Sequence, residues 1–183
     1  MKRVQMFLAG AFIAVGLLYA QTPASEWKVG VAKLKETIQA NPAQAAEEAG
    51  QMIKGKNKKN IELLVAIGEA YLEAGKIPEA QQYAALAKKA NGKSADAAVL
   101  EGDIALKQKN AGLASQKYEE AIYFNPRCAA AYLKFADIYK MANSSLAIEK
   151  LNQLKALQPS NTGVDKKLAE IYYLKNDFSK ASD

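Results

Sequence analysis

The chain has 183 residues, with 25 Lys and Arg against 19 Asp and Glu, a net charge of +6, one cysteine and no histidine. The missing histidine removes the commonest general base and metal ligand together. A single cysteine, Cys128, excludes an intramolecular disulfide and a CxxC redox site, and reads as a small residue near a helix start.

The N-terminus stands apart from the rest. Lys2 and Arg3 precede an uncharged apolar run from Met6 to Ala20, and small residues follow, with cleavage expected after Ala20 or Ala24. This is the layout of a secretory signal peptide over residues 1–20, and it is short for a membrane span. Leu18 fits the small-x-small cleavage rule poorly, which leaves an uncleaved anchor as the alternative. Loss of Lys2 and Arg3 takes the 25 basic residues to 23 against 19 acidic ones, a charge of +4. That excess is too mild to imply a nucleic-acid partner.

Residues 21–60 read as a divergent helix pair and a basic loop. Trp27 to Ala40 predicts one helix, with Val31, Leu34 and Ile38 on a face. Asn41-Pro42 starts a second, with Ala46, Gly50 and Ile53 as its small-residue positions. Lys54-Gly55-Lys56-Asn57-Lys58-Lys59-Asn60 follows as a basic loop; its lysines alone suggest nucleic acid or an anionic lipid surface, but without interleaved aromatics it reads as a solvated loop.

From residue 61 the chain repeats itself. Gly68 recurs as Gly102, Ala80 as Ala114 and Ala87 as Ala121, each 34 positions on. One further period reaches Ala136, then the phase slips by one residue and the pattern resumes at Ala169. A fixed period of this size marks a stack of supersecondary units. The segments fall at 61–94, 95–128, 129–161 and an unfinished 162–183. Within each, apolar residues are spaced by 3 and 4, the helical period, in two halves. Breakers separate the halves at Gly75-Lys76-Ile77-Pro78, Asn110-Ala111-Gly112, Asn143-Ser144-Ser145 and Asn176-Asp177. Others end the second halves at Asn91-Gly92, Asn125-Pro126 and Gln158-Pro159. The third internal turn is one residue short, which accounts for the slip.

These columns resemble the tetratricopeptide repeat, whose pattern runs W-x2-L-G-x2-Y, then A-x3-F, A and P. Ile67-Gly68-x2-Tyr71 with Ala80 and Ala87 matches it, and Tyr118, Ala121 and Pro126 complete the next copy. The Trp column departs, holding Leu64, Ala98, Tyr132 and Asp165, and Ala105 stands in the column of Tyr71. The resemblance implies an all-α, right-handed solenoid of stacked antiparallel helix pairs. It assigns Tyr71, Tyr118, Tyr132, Tyr139 and Tyr172 to packing.

By the family's geometry the residue after the small Gly/Ala column faces a concave groove. Here those residues are Glu69, Asp103, Asp137 and Glu170. Four residues earlier stand Val65, Val99, Leu133 and Lys166; three later stand Leu72, Leu106, Lys140 and Tyr173. An acidic ladder flanked by aliphatic side chains suits a protein or peptide segment with apolar and basic residues. Acids at this column argue against a clamp for a C-terminal carboxylate. No Rossmann glycine motif, phosphate-binding P-loop, GxSxG or HExxH occurs, and no cofactor, metal or catalytic residue is expected. The expectation is a secreted, non-enzymatic scaffold, in a bacterial periplasm, with no nucleic acid and no membrane contact unless the N-terminal segment stays uncleaved. Self-association is the alternative role. A third is service as the scaffold of a longer enzyme, because the last repeat breaks off at Asp183.

Overall fold

Helix starts in this chain are written by short polar side chains. Asn41, Asn60, Ser94, Asn110, Asn143 and Asn161 each accept a hydrogen bond from a backbone N–H in the helix that follows, at 3.0–3.2 Å. Each such cap is worth roughly 0.5–2 kcal/mol. Pro42 and Pro78 stand in the first turn of two helices, where the missing N–H costs nothing. The result, in a computed structural model that describes residues 26–175, is α1 (Glu26–Ala40), α2 (Pro42–Met52), a 3-10 turn (Gly55–Lys59), α3 (Ile61–Glu73), α4 (Ile77–Ala90), α5 (Ala95–Lys107), α6 (Ala111–Phe124), α7 (Ala129–Ala142), α8 (Ser144–Leu157) and α9 (Thr162–Leu174). The described residues contain no strand. The signal-peptide segment 1–20, the Asn176-Asp177 breaker and the chain end at Asp183 lie outside them.

The helices fall into two compact units, divided between Gly92 and Lys93. The first holds α1 to α4, with α1 on α2, α3 on α4 and α1 on α3. Its core joins Leu34, Ile38, Met52, Leu63, Leu64 and Ile67, all 0–1 % exposed. Tyr71 and Tyr83 stack at 5.6 Å between ring centroids. Burial, then the neighbouring Tyr71, pushes the Tyr83 phenol up to about 12. The second unit holds α5 to α9, and each helix packs on the next; α7 also meets α9. One cluster there gathers Ala98, Ala105, Ala114, Tyr118, Ala121 and Phe135. The other gathers Tyr132, Ala136, Ala147, Leu151, Leu154, Val164 and Ile171. Stacked antiparallel helix pairs of this kind are the building plan of an α-solenoid.

Small residues in the first helices admit large ones from the second. Gly102 is the sharpest case: a Cβ built there would lie 2.7 Å from Cδ1 and 3.0 Å from Cζ of Tyr118, and closer still to Cε1. One copy on, Ala136 and Leu151 occupy the same two columns, both fully buried.

The internal turns show what the phase slip removes. Gly75 (φ 74°) and Lys109 (φ 61°), 34 residues apart, sit in the left-handed region after α3 and α5. The next N–H closes each turn, Lys76 onto Tyr71 O and Asn110 onto Ala105 O, both at 2.8 Å. Between α7 and α8 the left-handed residue is gone. Asn143 alone ends one helix, through its N–H to Tyr139 O, and caps the next.

Two expectations for residues 21–60 are corrected. The row of α2 that faces α1 is Ala45, Ala49 and Met52, with Ala46 exposed and Gly50 and Ile53 half-buried. The Asn41 cap and Pro42 set the start of α2, and so its rotation, one residue away from the expected face. The basic run is not an open loop either. It winds into the 3-10 turn, pegged by buried Asn57, whose side-chain amide donates to Met52 O at 3.1 Å. In α9, Val164 and Ile171 are buried against α7 and α8, while Leu168, Ala169 and Tyr172 are half-buried.

Candidate partner-binding face

The first helices of the second unit carry three of the four acids in the predicted ladder. Asp103 on α5 accepts the Tyr118 hydroxyl at 2.7 Å and an ion pair from Lys134 on α7 at 2.9 Å. Asp137 on α7 meets Lys140 at 3.1 Å and Lys167, on α9, at 2.8 Å. Glu170 on α9 meets the same two lysines at 2.5 and 2.7 Å. The last four residues therefore form a closed ring of alternating charge across α7 and α9. Glu69 belongs to α3 of the first unit, where it is exposed.

The titration of these groups follows from that geometry. Bonds from Lys140 and then Lys167 hold the Glu170 carboxyl below its ordinary value. Bonds to Glu170 and then Asp137 raise Lys140. Burial alone would lower Lys167, but its bonds to Asp137 and Glu170 outweigh that and raise it. The Tyr118 hydroxyl is pushed up by burial first and by its bond to Asp103 second. The acids of the second unit are thus already paired, not a bare negative strip. Surface pairs of this sort, here partly exposed, contribute only about 0–1 kcal/mol each, so their exchange for a ligand's charges costs little.

The flanking positions divide sharply. Val65, Leu72 and Val99 are 6–9 % exposed and pack into the cores, so they offer a partner almost no surface. Leu133 is half-buried, with its Cδ1 near the backbone of Gly163. Leu106 (37 %), Lys166 and Tyr173 (65 %) are exposed. Lys134 and Lys167 were missed in the sequence, although they repeat at 33 residues, the spacing that the shortened turn dictates. Among the described residues no group of three or more His, Cys, Asp or Glu could hold a metal ion, and no helix is long and apolar enough to cross a membrane. Cys128 is buried at the start of α7, and burial first of all raises its thiol pKa.

No family model matches the sequence, and a comparison with curated proteins gives no match. Solved structures do match. A crystal structure of MamA is similar at 21% identity and a TM-score of 0.59, covering 81% of this chain and 86% of that one. A thermophilic TPR protein of Thermus thermophilus is similar at 17% identity and a TM-score of 0.61, covering 84% and 85%. The fold is that of tetratricopeptide-repeat proteins. A structure of Naa15/Naa10 bound to HypK-THB is also similar, at 21% identity and a TM-score of 0.52, with 82% of this chain matching 24% of that chain. At these identities the likeness establishes the tetratricopeptide-like architecture alone.

Proposed function

We propose that the chain is a scaffold that holds a protein or peptide segment on the first-helix face of its second unit. The observation that carries this reading is the charge ring of Asp137, Lys140, Lys167 and Glu170, with exposed Tyr173 beside it on α9. The ring fixes the long side chains of Lys140, Lys167 and Glu170 before a partner arrives, which lowers the ordering cost of binding. A basic side chain of the partner would exchange with Lys140 or Lys167 on the carboxylates. That exchange is nearly neutral, so charge sets register and on-rate, while apolar contact at Leu106, Leu133 and Tyr173 supplies affinity. The architecture shared with a Naa15 chain that is bound to HypK-THB supports a protein-interaction role.

Export is part of the proposal. Lys2 and Arg3, the apolar run from Met6 to Ala20 and the small residues after it support secretion, with a bacterial periplasm as the destination. Mass determination of the mature N-terminus tests it: a chain starting at Gln21 or Ser25 agrees, and an intact Met1 in a membrane fraction refutes it.

The binding reading is tested by affinity capture with the chain from Gln21 onward out of an envelope extract, at low and high salt. The paired variants are Leu106→Ala with Tyr173→Ala, and Asp137→Ala with Glu170→Ala. A partner lost with the apolar pair at either salt, and weakened with the acid pair only at low salt, is expected. Partners that persist with both pairs, together with an altered oligomeric state, would replace this reading with self-association.

A further inference from the structure

The densest positive charge in the molecule lies elsewhere, at one end of the first unit. Lys54, Lys56, Lys58 and Lys59 fall within six residues and all are exposed. None has an ion-pair partner among the described residues. In a 3-10 turn, residues three apart eclipse one another. Lys56 and Lys59 therefore share an outer edge, while Asn57 points inward to Met52 O. Gly55 at φ 59° lets the chain enter the turn, and nothing lies within 4 Å of its outer side. The turn packs on α4. Because α4 runs antiparallel to α3, its end returns to the start of α3, where the turn lies. Its last turn brings Lys88 and Lys89. The four lysines of the turn and exposed Lys89 thus lie toward one end of the unit, with Glu62 in the first turn of α3.

We infer that this end of the first unit docks on an anionic phospholipid surface. A solvated run of lysines needs no conformation, but this one is folded, pegged from beneath and open on its outer side. The run from Lys54 to Asn60 has no interleaved aromatic ring to stack a base, which disfavours nucleic acid. Clusters of four to eight lysines are the composition that a negatively charged bilayer attracts, each contributing near the surface until salt screens it. The inference is independent of the α7–α9 face, which lies in the other unit.

The test is co-sedimentation of the chain from Gln21 onward, which retains every described helix, with vesicles. One set contains equal parts phosphatidylglycerol and phosphatidylcholine, the other phosphatidylcholine alone. Removing residues 1–20 prevents the apolar run from partitioning into either. Binding to the anionic vesicles alone is expected, lost at high salt. Lys56→Gln with Lys59→Gln should weaken it by about tenfold or more. Lys107→Gln with Lys109→Gln changes net charge equally and should leave it within about twofold, because those exposed lysines belong to the second unit. Equal loss with both pairs would overturn the inference, since net charge alone would then account for binding. Binding to inorganic polyphosphate but not to vesicles would overturn it as well.

Discussion

Replacing Gly102 with Ala sets helix propensity against packing, and the two disagree in sign. Position 102 lies in the middle of α5, where Ala is favoured over Gly by about 0.5–1 kcal/mol. The new Cβ, however, meets the ring of Tyr118, a residue with no exposed surface. Contacts of 2.7 and 3.0 Å must open toward an ordinary separation, so the ring must move by several tenths of an ångström. Tyr118 has nowhere to go, because it is packed among Ala98, Ala114, Ala121 and Phe135. Overpacking of this kind costs about 1–3 kcal/mol. The displaced ring also strains the hydroxyl bond to Asp103, worth about 1 kcal/mol. The net expectation is a loss of about 1–3 kcal/mol, a fall in Tm of roughly 5–15 °C for a unit of this size. Circular-dichroism melting and urea titration measure it. The neighbouring copy supplies the rescue, since it pairs Ala136 with Leu151 in the same columns. Tyr118→Leu in the Gly102→Ala background should therefore show a favourable coupling of about 1 kcal/mol or more in a double-mutant cycle. A Gly102→Ala chain as stable as the parent, or an additive cycle, would refute the reasoning.

Other outcomes follow from single observations. Lys109 holds φ 61°, a conformation that costs a residue with a Cβ roughly 1 kcal/mol, so Lys109→Gly should raise stability by several tenths to about 1 kcal/mol in urea titration. Tyr83 is buried and its pKa is raised from 10.0 to about 12, so its contribution is complete below pH 10 and lost as pH rises toward 12. The unfolded phenol ionises first, and Tyr83→Phe should shift the alkaline unfolding midpoint upward. Glu170 has its folded pKa below 4.5, so its contribution is present above that value and fades as pH falls through the folded pKa; Glu170→Gln should flatten the acid limb of the stability profile, less so at high salt. The Cys128 thiol is buried with a raised pKa, so it should react with a thiol reagent at neutral pH only after addition of denaturant.

The helix pairs were legible because the features that make them are local. A capping Asn and an apolar spacing of 3 and 4 act within one turn of chain, and Asn110 and Asn143 sit where the breakers were read. The register of α2 was less legible. Its alanines and glycine present similar small side chains on several faces, and the choice of Ala45 over Ala46 is made by where Asn41 and Pro42 start the helix. The candidate face was legible in its acids and illegible in their partners. An ion pair such as Asp103 with Lys134 joins residues 31 apart, and no single-helix rule reports it. The burial of Val65 and Val99 escaped for a related reason. A first helix in a stack is covered by its own partner and by a neighbouring first helix, as α3 is by α4 and α1. In α3, for example, Leu63, Leu64, Val65, Ile67, Gly68, Ala70, Tyr71 and Leu72 are all buried. A single amphipathic stripe, as read from the 3.6 period, is too narrow for a helix covered on several sides.

The one-residue slip in the repeat has a physical content of its own. The position missing from the third copy is the one that Gly75 and Lys109 fill in the left-handed region. It is the residue that packs least: a Cβ at Gly75 would meet nothing within 4 Å, and Lys109 is exposed. Deleting it loses a backbone turn and removes a strained conformation. The closing bond is replaced by the direct N–H of Asn143 to Tyr139 O, while the side chain of Asn143 keeps the cap on the next helix. The helices on either side can then retain their columns, with Ala136 still opposite Leu151. The same slip brings Lys134 and Lys167 to a spacing of 33, so that each lysine reaches back to the acid of the preceding copy, Asp103 and Asp137. A deletion confined to the turn thus leaves the packing of the pair and the ion pairs between copies in step.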